Sequence, residues 1–187
     1  MQPMSENGRL VRPFWSAVLA LVAAGLFTLP STVSSRTSDG DAAVVTGRAK
    51  VLDGDTIDIA GTRIRLEGID APESAQMCSR KGKGLWPCGE EATEHLKRLT
   101  SGRRVVCNDA GEDRYGRMLG WCAVDGLDIN AEMVRSGFAW AFVRYSKRYV
   151  SAEREARQAE AGIWQGEAEP AWAFRERRRN ARVRDQG

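Results

Sequence analysis

The sequence predicts an α+β fold that is mainly β: a small closed barrel of five short strands packed by helices, behind an N-terminal apolar helix. Three observations carry that prediction. Apolar residues alternate with period two in several short runs between residues 44 and 124, as strands with one buried face do. Helical spacing is confined to three stretches, 89–102, 128–137 and 146–162. Residues 1–35 differ in composition from everything that follows.

Those first 35 residues follow an export pattern. Arg9 and Arg12 precede the apolar run FWSAVLALVAAGLFTL, which stops at Pro30, and small polar residues follow. The run suits a signal peptide or a short membrane anchor. No A-x-A site follows Pro30, so cleavage and anchoring both stay open, and the chain is expected to be exported (periplasmic or extracellular) or tethered at a membrane.

From Val44 the elements come in order. GRAKVLDGDT reads as a strand running into an acidic turn. TIDIAGTRIRLEG reads as a hairpin turning at Ala60-Gly61, with Ile57, Ile59, Ile64 and Leu66 on one buried face. MCSRKGKGLWPCG reads as a loop. GEEATEHLKRLTSG places Ala92, Leu96 and Leu99 at helical spacing, with Gly102 at the stop. RRVVCND and RMLGWCAV are two further strands joined by AGEDRYG. DINAEMVRSG is a short helix beginning after Asp128. SKRYVSAEREARQAEAG is a longer one, with Tyr149, Ala152, Ala156 and Ala159 on one face and Gly162 at its end. Residues 167–187 form a basic tail, whose run RERRRNARVR (175–184) reads either as a contact for nucleic acid or an anionic surface or as a solvated segment.

Charge excludes one easy route to function. The formal net charge is +3, but residues 36–174 hold 20 Lys and Arg against 22 Asp and Glu, while 175–187 hold six Arg against two acids. The body is therefore no general polyanion binder, and a nucleic-acid site there must be local. The four cysteines, Cys78, Cys88, Cys107 and Cys122, lack the spacing of a zinc site. They allow three disulfide connectivities. A Cys78–Cys88 bridge closing the Gly-rich loop and a Cys107–Cys122 bridge joining neighbouring strands are favoured, and bridges of either kind suit an oxidising compartment.

The residues with chemistry in them are acids and arginines. Asp53 and Asp55 bracket a glycine at the end of the first strand, and Asp70 and Glu73 follow the third. Carboxylate oxygens suit Ca²⁺ or Mg²⁺, although DGDTID is not an EF-hand: Ile57 stands at a ligand position and the terminal Glu is missing. Arg65 and Arg117 are two guanidiniums which, near a bound cation, suit a phosphate whose charge grows during transfer.

VLDGDT, RIRLEGIDAPE, DRYGR, INAEMVRSGFA and GIW, in this order over residues 44–166, resemble the staphylococcal nuclease-like (thermonuclease) family. That resemblance implies a five-stranded OB-type barrel with three α-helices and Ca²⁺-dependent hydrolysis of DNA and/or RNA with little sequence preference. It implies metal binding by Asp55, Asp70 and the Ala71 carbonyl, water activation by Glu73, and phosphate stabilisation by Arg65 and Arg117. Arg114 and Tyr115 match positions beside a terminal phosphate, and Tyr145 matches one aromatic of a base pocket whose other position is Val143 here. The expected partner is nucleic acid and the expected state a monomer. The rival readings are an OB-type module that binds single strands without cleaving them, and an envelope or polysaccharide-assembly scaffold. His95 reads as structural, Trp121, Trp140 and Trp164 as core, and Asp53 as a carboxylate tuning the site.

Overall fold

The computed structural model describes residues 43–186; the apolar N-terminal segment lies outside the described residues. Its main sheet is built from β1 (Val44–Gly47), β2 (Lys50–Val51), β3 (Thr56–Ile59) and β4 (Thr62–Leu66). A short β5 (Ile69–Asp70) follows, then β6 (Cys78–Arg80) and β7 (Gly84–Trp86). After helix α1 (Cys88–Thr100) come β8 (Val105–Glu112), β9 (Met118–Val124) and β10 (Leu127–Asp128). Helix α2 (Ile129–Arg135), β11 (Trp140–Ala141), helix α3 (Val150–Gln158) and helix α4 (Ala171–Asp185) complete the chain.

The sheet runs β1-β8-β9-β4-β3-β2, with β10 beside β9; it is mixed, since β4 and β9 are parallel. The segment read as one first strand breaks at Arg48–Ala49: β1 pairs with β8, and β2 pairs with β3. Such a partner switch turns a corner in a curled sheet. The two edges of the sheet are thus neighbours in the chain. Among the described residues the ladder between them is not continuous, so the architecture is a large mixed sheet with four helices, of the OB-like kind, rather than a closed five-strand barrel.

The predicted hairpin forms as expected. Ile57 faces Ile64 across β3 and β4, Ala60 and Gly61 turn with φ of 52° and 90°, and Ile57, Ile59, Ile64 and Leu66 are buried. Asp128 caps α2 by accepting from the Ala131 amide at 2.9 Å. The buried Asn130 amide donates to the carbonyls of Glu67 and Gly120 and accepts from the Cys122 amide, tying α2 to the sheet.

Four expectations change. The loop 77–89 is a hairpin, β6–β7, closed by a Cys78–Cys88 disulfide. The helix over 146–162 is shorter, because Glu160 takes a positive φ and leaves Ala159 exposed. Trp121 lies on the outer face, donating to Glu67 at 2.8 Å, whereas Trp140 is core and Trp164 packs beside it. The basic tail is helical: α4 seats its buried Ala171 against Cys78, Trp86, Cys88, Trp140 and Ile163. No helix among the described residues is long and apolar enough to cross a membrane.

Candidate active site

The site assembles where two acidic turns meet. Asp55 leads into β3, and its backbone carbonyl accepts from the Leu66 amide at 2.8 Å, which fixes it beside the end of β4. Gly54 lets the first turn press against the second, since a Cβ there would stand 2.8 Å from the Cβ of Ala71. Asp70 ends β5, where it faces Trp140 of β11. Pro72 carries the chain on to Glu73, whose amide donates to Oε1 of the buried Gln76 at 3.1 Å.

Arg65 binds the two turns together. Its Nη1 donates to Asp55 Oδ1 at 2.6 Å, and its Nη2 to Asp70 Oδ1 at 2.8 Å. The second Asp55 oxygen accepts from the Ala71 amide at 3.1 Å. Asp70 is completely buried and Asp55 nearly so. Burial pushes the Asp70 carboxyl up, against the pull of the nearby guanidiniums, whereas Arg65, disfavoured by burial, is held charged by Asp55 and Asp70 and shifts up. Asp53 rises to about 6, through burial first and the neighbouring Asp55 charge second.

A third guanidinium reaches the cluster from the far end of the chain. Arg175 of α4 donates through Nη2 to Asp70 Oδ2 at 2.8 Å, and through Nη1 to Glu73 Oε1 at 2.7 Å and Asp70 Oδ1 at 3.1 Å. Burial opposes its charge, but the hydrogen bonds to Asp70 and Glu73 raise its pKa. The segment that delivers it is tied to the disulfide hairpin. Gln76 Nε2 donates to the Glu169 carbonyl at 2.6 Å, and Ser79 exchanges hydrogen bonds with Glu167 at 2.8 to 3.0 Å. Sequence reasoning missed Arg175 and Gln76; only the run of arginines after residue 174 signalled the first.

The structure thus brings together Asp55, Arg65, Asp70, Ala71 and Glu73, as expected. Arg117, Arg114 and Tyr115 form a second group around the β8–β9 turn. The Asp113 carboxylate accepts from Arg117 Nε at 2.7 Å and from the Tyr115 and Arg117 amides; these bonds outweigh slight burial and lower its pKa. The Arg114 and Arg117 guanidiniums lie 4.9 and 5.7 Å from the exposed Tyr115 ring. No ion pair or hydrogen bond joins this group to the carboxylates among the described residues. Arg117 lies in the turn just before β9, whose Leu119 pairs with Arg65 of β4. Tyr145 is exposed beside Phe142 at 5.0 Å, and Val143 is exposed too. His95 stacks on Phe138 and takes no part; burial and Arg98 lower its pKa.

The donor chemistry of Asp55, Asp70 and the Ala71 carbonyl suits a hard dication. Among the described residues, however, no group of three or more acids, histidines or cysteines is arranged to hold a metal ion. The Asp70 oxygens are bonded by Arg65 and Arg175 and those of Asp55 by Arg65 and the Ala71 amide, so a cation at Asp70 would compete with Arg175.

A large mixed sheet with two buried aspartates held by one guanidinium defines an OB-like α+β protein with a polar site beside its sheet. Residues 63–166 match the family model described as staphylococcal nuclease homologue, and the chain belongs to that family. It is 41% identical over 139 residues to the succinoglycan biosynthesis protein ExoI of Rhizobium meliloti (strain 1021), covering 73% of each chain. It is 39% identical over 137 residues to an uncharacterized endonuclease of Escherichia coli O157:H7, covering 69% of this chain and 83% of the other. With the staphylococcal-like nuclease CAN1 of Arabidopsis thaliana it shares 37% identity over 120 residues, 63% of this chain and 34% of that one.

Proposed function

We propose that the protein is an exported, calcium-dependent nuclease that hydrolyses phosphodiester bonds of DNA and/or RNA with low sequence specificity. The observation that carries this reading is Arg65 held between Asp55 and Asp70, with Glu73 one turn away. Arg65 and Arg117, which precedes the strand paired with that of Arg65, neutralise charge on the phosphate oxygens. Glu73, partly exposed, accepts the proton of the attacking water. Asp55, Asp70 and the Ala71 carbonyl would hold Ca²⁺, which supplies Lewis-acid polarisation of the phosphate. The two disulfides and the Arg-flanked apolar N-terminus support export. The relatives named as nucleases support the activity, while the one named for succinoglycan biosynthesis favours a second reading, a scaffold in envelope polysaccharide assembly.

The test is hydrolysis of single-stranded DNA by the purified protein with Ca²⁺ or with EGTA, beside Glu73→Ser. Cleavage that needs Ca²⁺ and falls about a hundredfold to ten-thousandfold in the variant supports the nuclease. A folded, disulfide-bonded protein that cleaves nothing returns the scaffold reading.

A further inference from the structure

Helix α4 lies beyond residues 63–166, where the family model matches, yet it is anchored in the site. Arg175 sits on Asp70 and Glu73, and Trp172, one turn earlier, stacks on Phe142 with ring centroids 5.6 Å apart. Those two contacts identify the side of α4 that faces the site. At 100° per residue, Arg179 and Arg182 fall on the same side, four and seven positions after Arg175. Both are exposed, and among the described residues neither forms an ion pair or a side-chain hydrogen bond. From Arg175 to Arg182 the stripe extends about 10 Å along the helix axis. The opposite side carries Arg177, paired with Glu169, and Arg184, while Glu176 and the exposed Val183 lie on the flank between.

We propose that this stripe is a track for single-stranded nucleic acid leading to the carboxylate site, a proposal that rests on the nuclease reading and names a substrate-binding surface for it. Arg179 and Arg182 bind successive phosphates of the strand outside the scissile bond. The half-exposed Trp172, with Phe142 behind it and exposed Tyr145 beside Phe142, offers a base a stacking face. Cations in line with aromatic faces are the chemistry of sequence-tolerant single-strand binding. An anionic membrane surface would need several aliphatic side chains among the arginines, and Val183, on the flank, is the one large aliphatic side chain that α4 exposes.

The test uses the full chain in EDTA, so that binding is read without cleavage. Anisotropy of a labelled single-stranded DNA of about 12 nucleotides is followed from low to high salt. Each strand phosphate neutralised adds roughly 0.7 to the slope of log K against log salt. Arg179→Gln with Arg182→Gln should lower that slope by about 1.4, while Arg177→Gln with Arg184→Gln, an equal charge loss on the other side, should hold it. Equal loss in both pairs, or in neither, overturns the track. So do phosphatidylcholine–phosphatidylserine vesicles that bind with the Arg179 and Arg182 dependence when the oligonucleotide does not. Cleavage is absent from this assay, so failure of the nuclease reading leaves the slopes untouched and is told apart.

Discussion

The core sheet and the cap formed by the β6–β7 hairpin and α4 hold the same carboxylate, Asp70, by different means. Arg65 comes from a central strand, in a cluster packed by Ile57, Ile59, Ile64 and Leu66, and its geometry follows from strand register. Arg175 comes from a helix seated on a disulfide hairpin by hydrogen bonds from Gln76 and Ser79, by the buried Ala171 and by Trp172 packed on Phe142 and Trp140. A guanidinium on the sheet is fixed by folding. One on the cap depends on a helix docking from 105 residues away, and a cation at Asp70 would compete with it for the carboxylate. Strand register places Arg65 on Asp70, and the docking of α4 places Arg175 there.

The largest expected effect separates the two arginines. Arg65→Ala should lower turnover of single-stranded DNA roughly a thousandfold or more, as loss of a transition-state donor does. A folded Arg65→Ala variant with full activity would break the assignment.

The disulfides come next. Cys107–Cys122 spans 15 residues between β8 and β9, and replacing both cysteines with alanine should cost about 3 kcal/mol by denaturant melting, with activity per folded molecule unchanged. Cys78–Cys88 spans 10, and the same replacement should cost slightly less. Its damage should be concentrated elsewhere: amide exchange should quicken through residues 165–186, which hang on that hairpin. Equal quickening of β8 and β9 would deny the cap its independence.

Arg175→Ala is smaller and changes sign with calcium. In EGTA it leaves the fully buried Asp70 with Arg65 alone and should destabilise by about 2 kcal/mol, below the usual penalty for a broken buried pair because Arg175 keeps a wet side. Calorimetry should then find tighter Ca²⁺ binding than in the parent. Weaker binding would mean that Arg175 organises the carboxylates for the cation instead of competing with it.

The same contrast decides what the sequence discloses. The hairpin and the helix after Asp128 are legible because each depends on neighbours within some 20 residues, on alternation, capping and turn chemistry, whereas the Asp55–Arg65–Asp70–Glu73 cluster is legible through the family resemblance of its ordered motifs. Arg175 meets Asp70 across 105 residues, and no local pattern distinguishes a docked arginine helix from a solvated basic tail. The β6–β7 hairpin is hidden for a related reason: glycines and lysines at its turn read as loop, and the strands are fixed by the disulfide and by Gln165 and Glu167. The bent first strand escapes because partner exchange leaves no mark on alternation.

The smallest effect tests the turn that the core supplies. Asp53 accepts from the Asp55 amide at 3.0 Å, and its pKa stands near 6, against 3.8 for a free side chain. The folded state therefore holds this proton more tightly than the unfolded one. Stability from this group is greatest below about 4 and is lost as pH rises through 6. Asp53→Asn keeps the Oδ1 acceptor and removes the charge. In EGTA it should be more stable than the parent above pH 6, by about 1 to 2 kcal/mol once partial exposure is allowed for, with the gap closing towards pH 4. A gap independent of pH would place its cause in packing of the turn. One that vanishes when Ca²⁺ is added would show that the crowding of Asp53 against Asp55 is what a bound cation relieves.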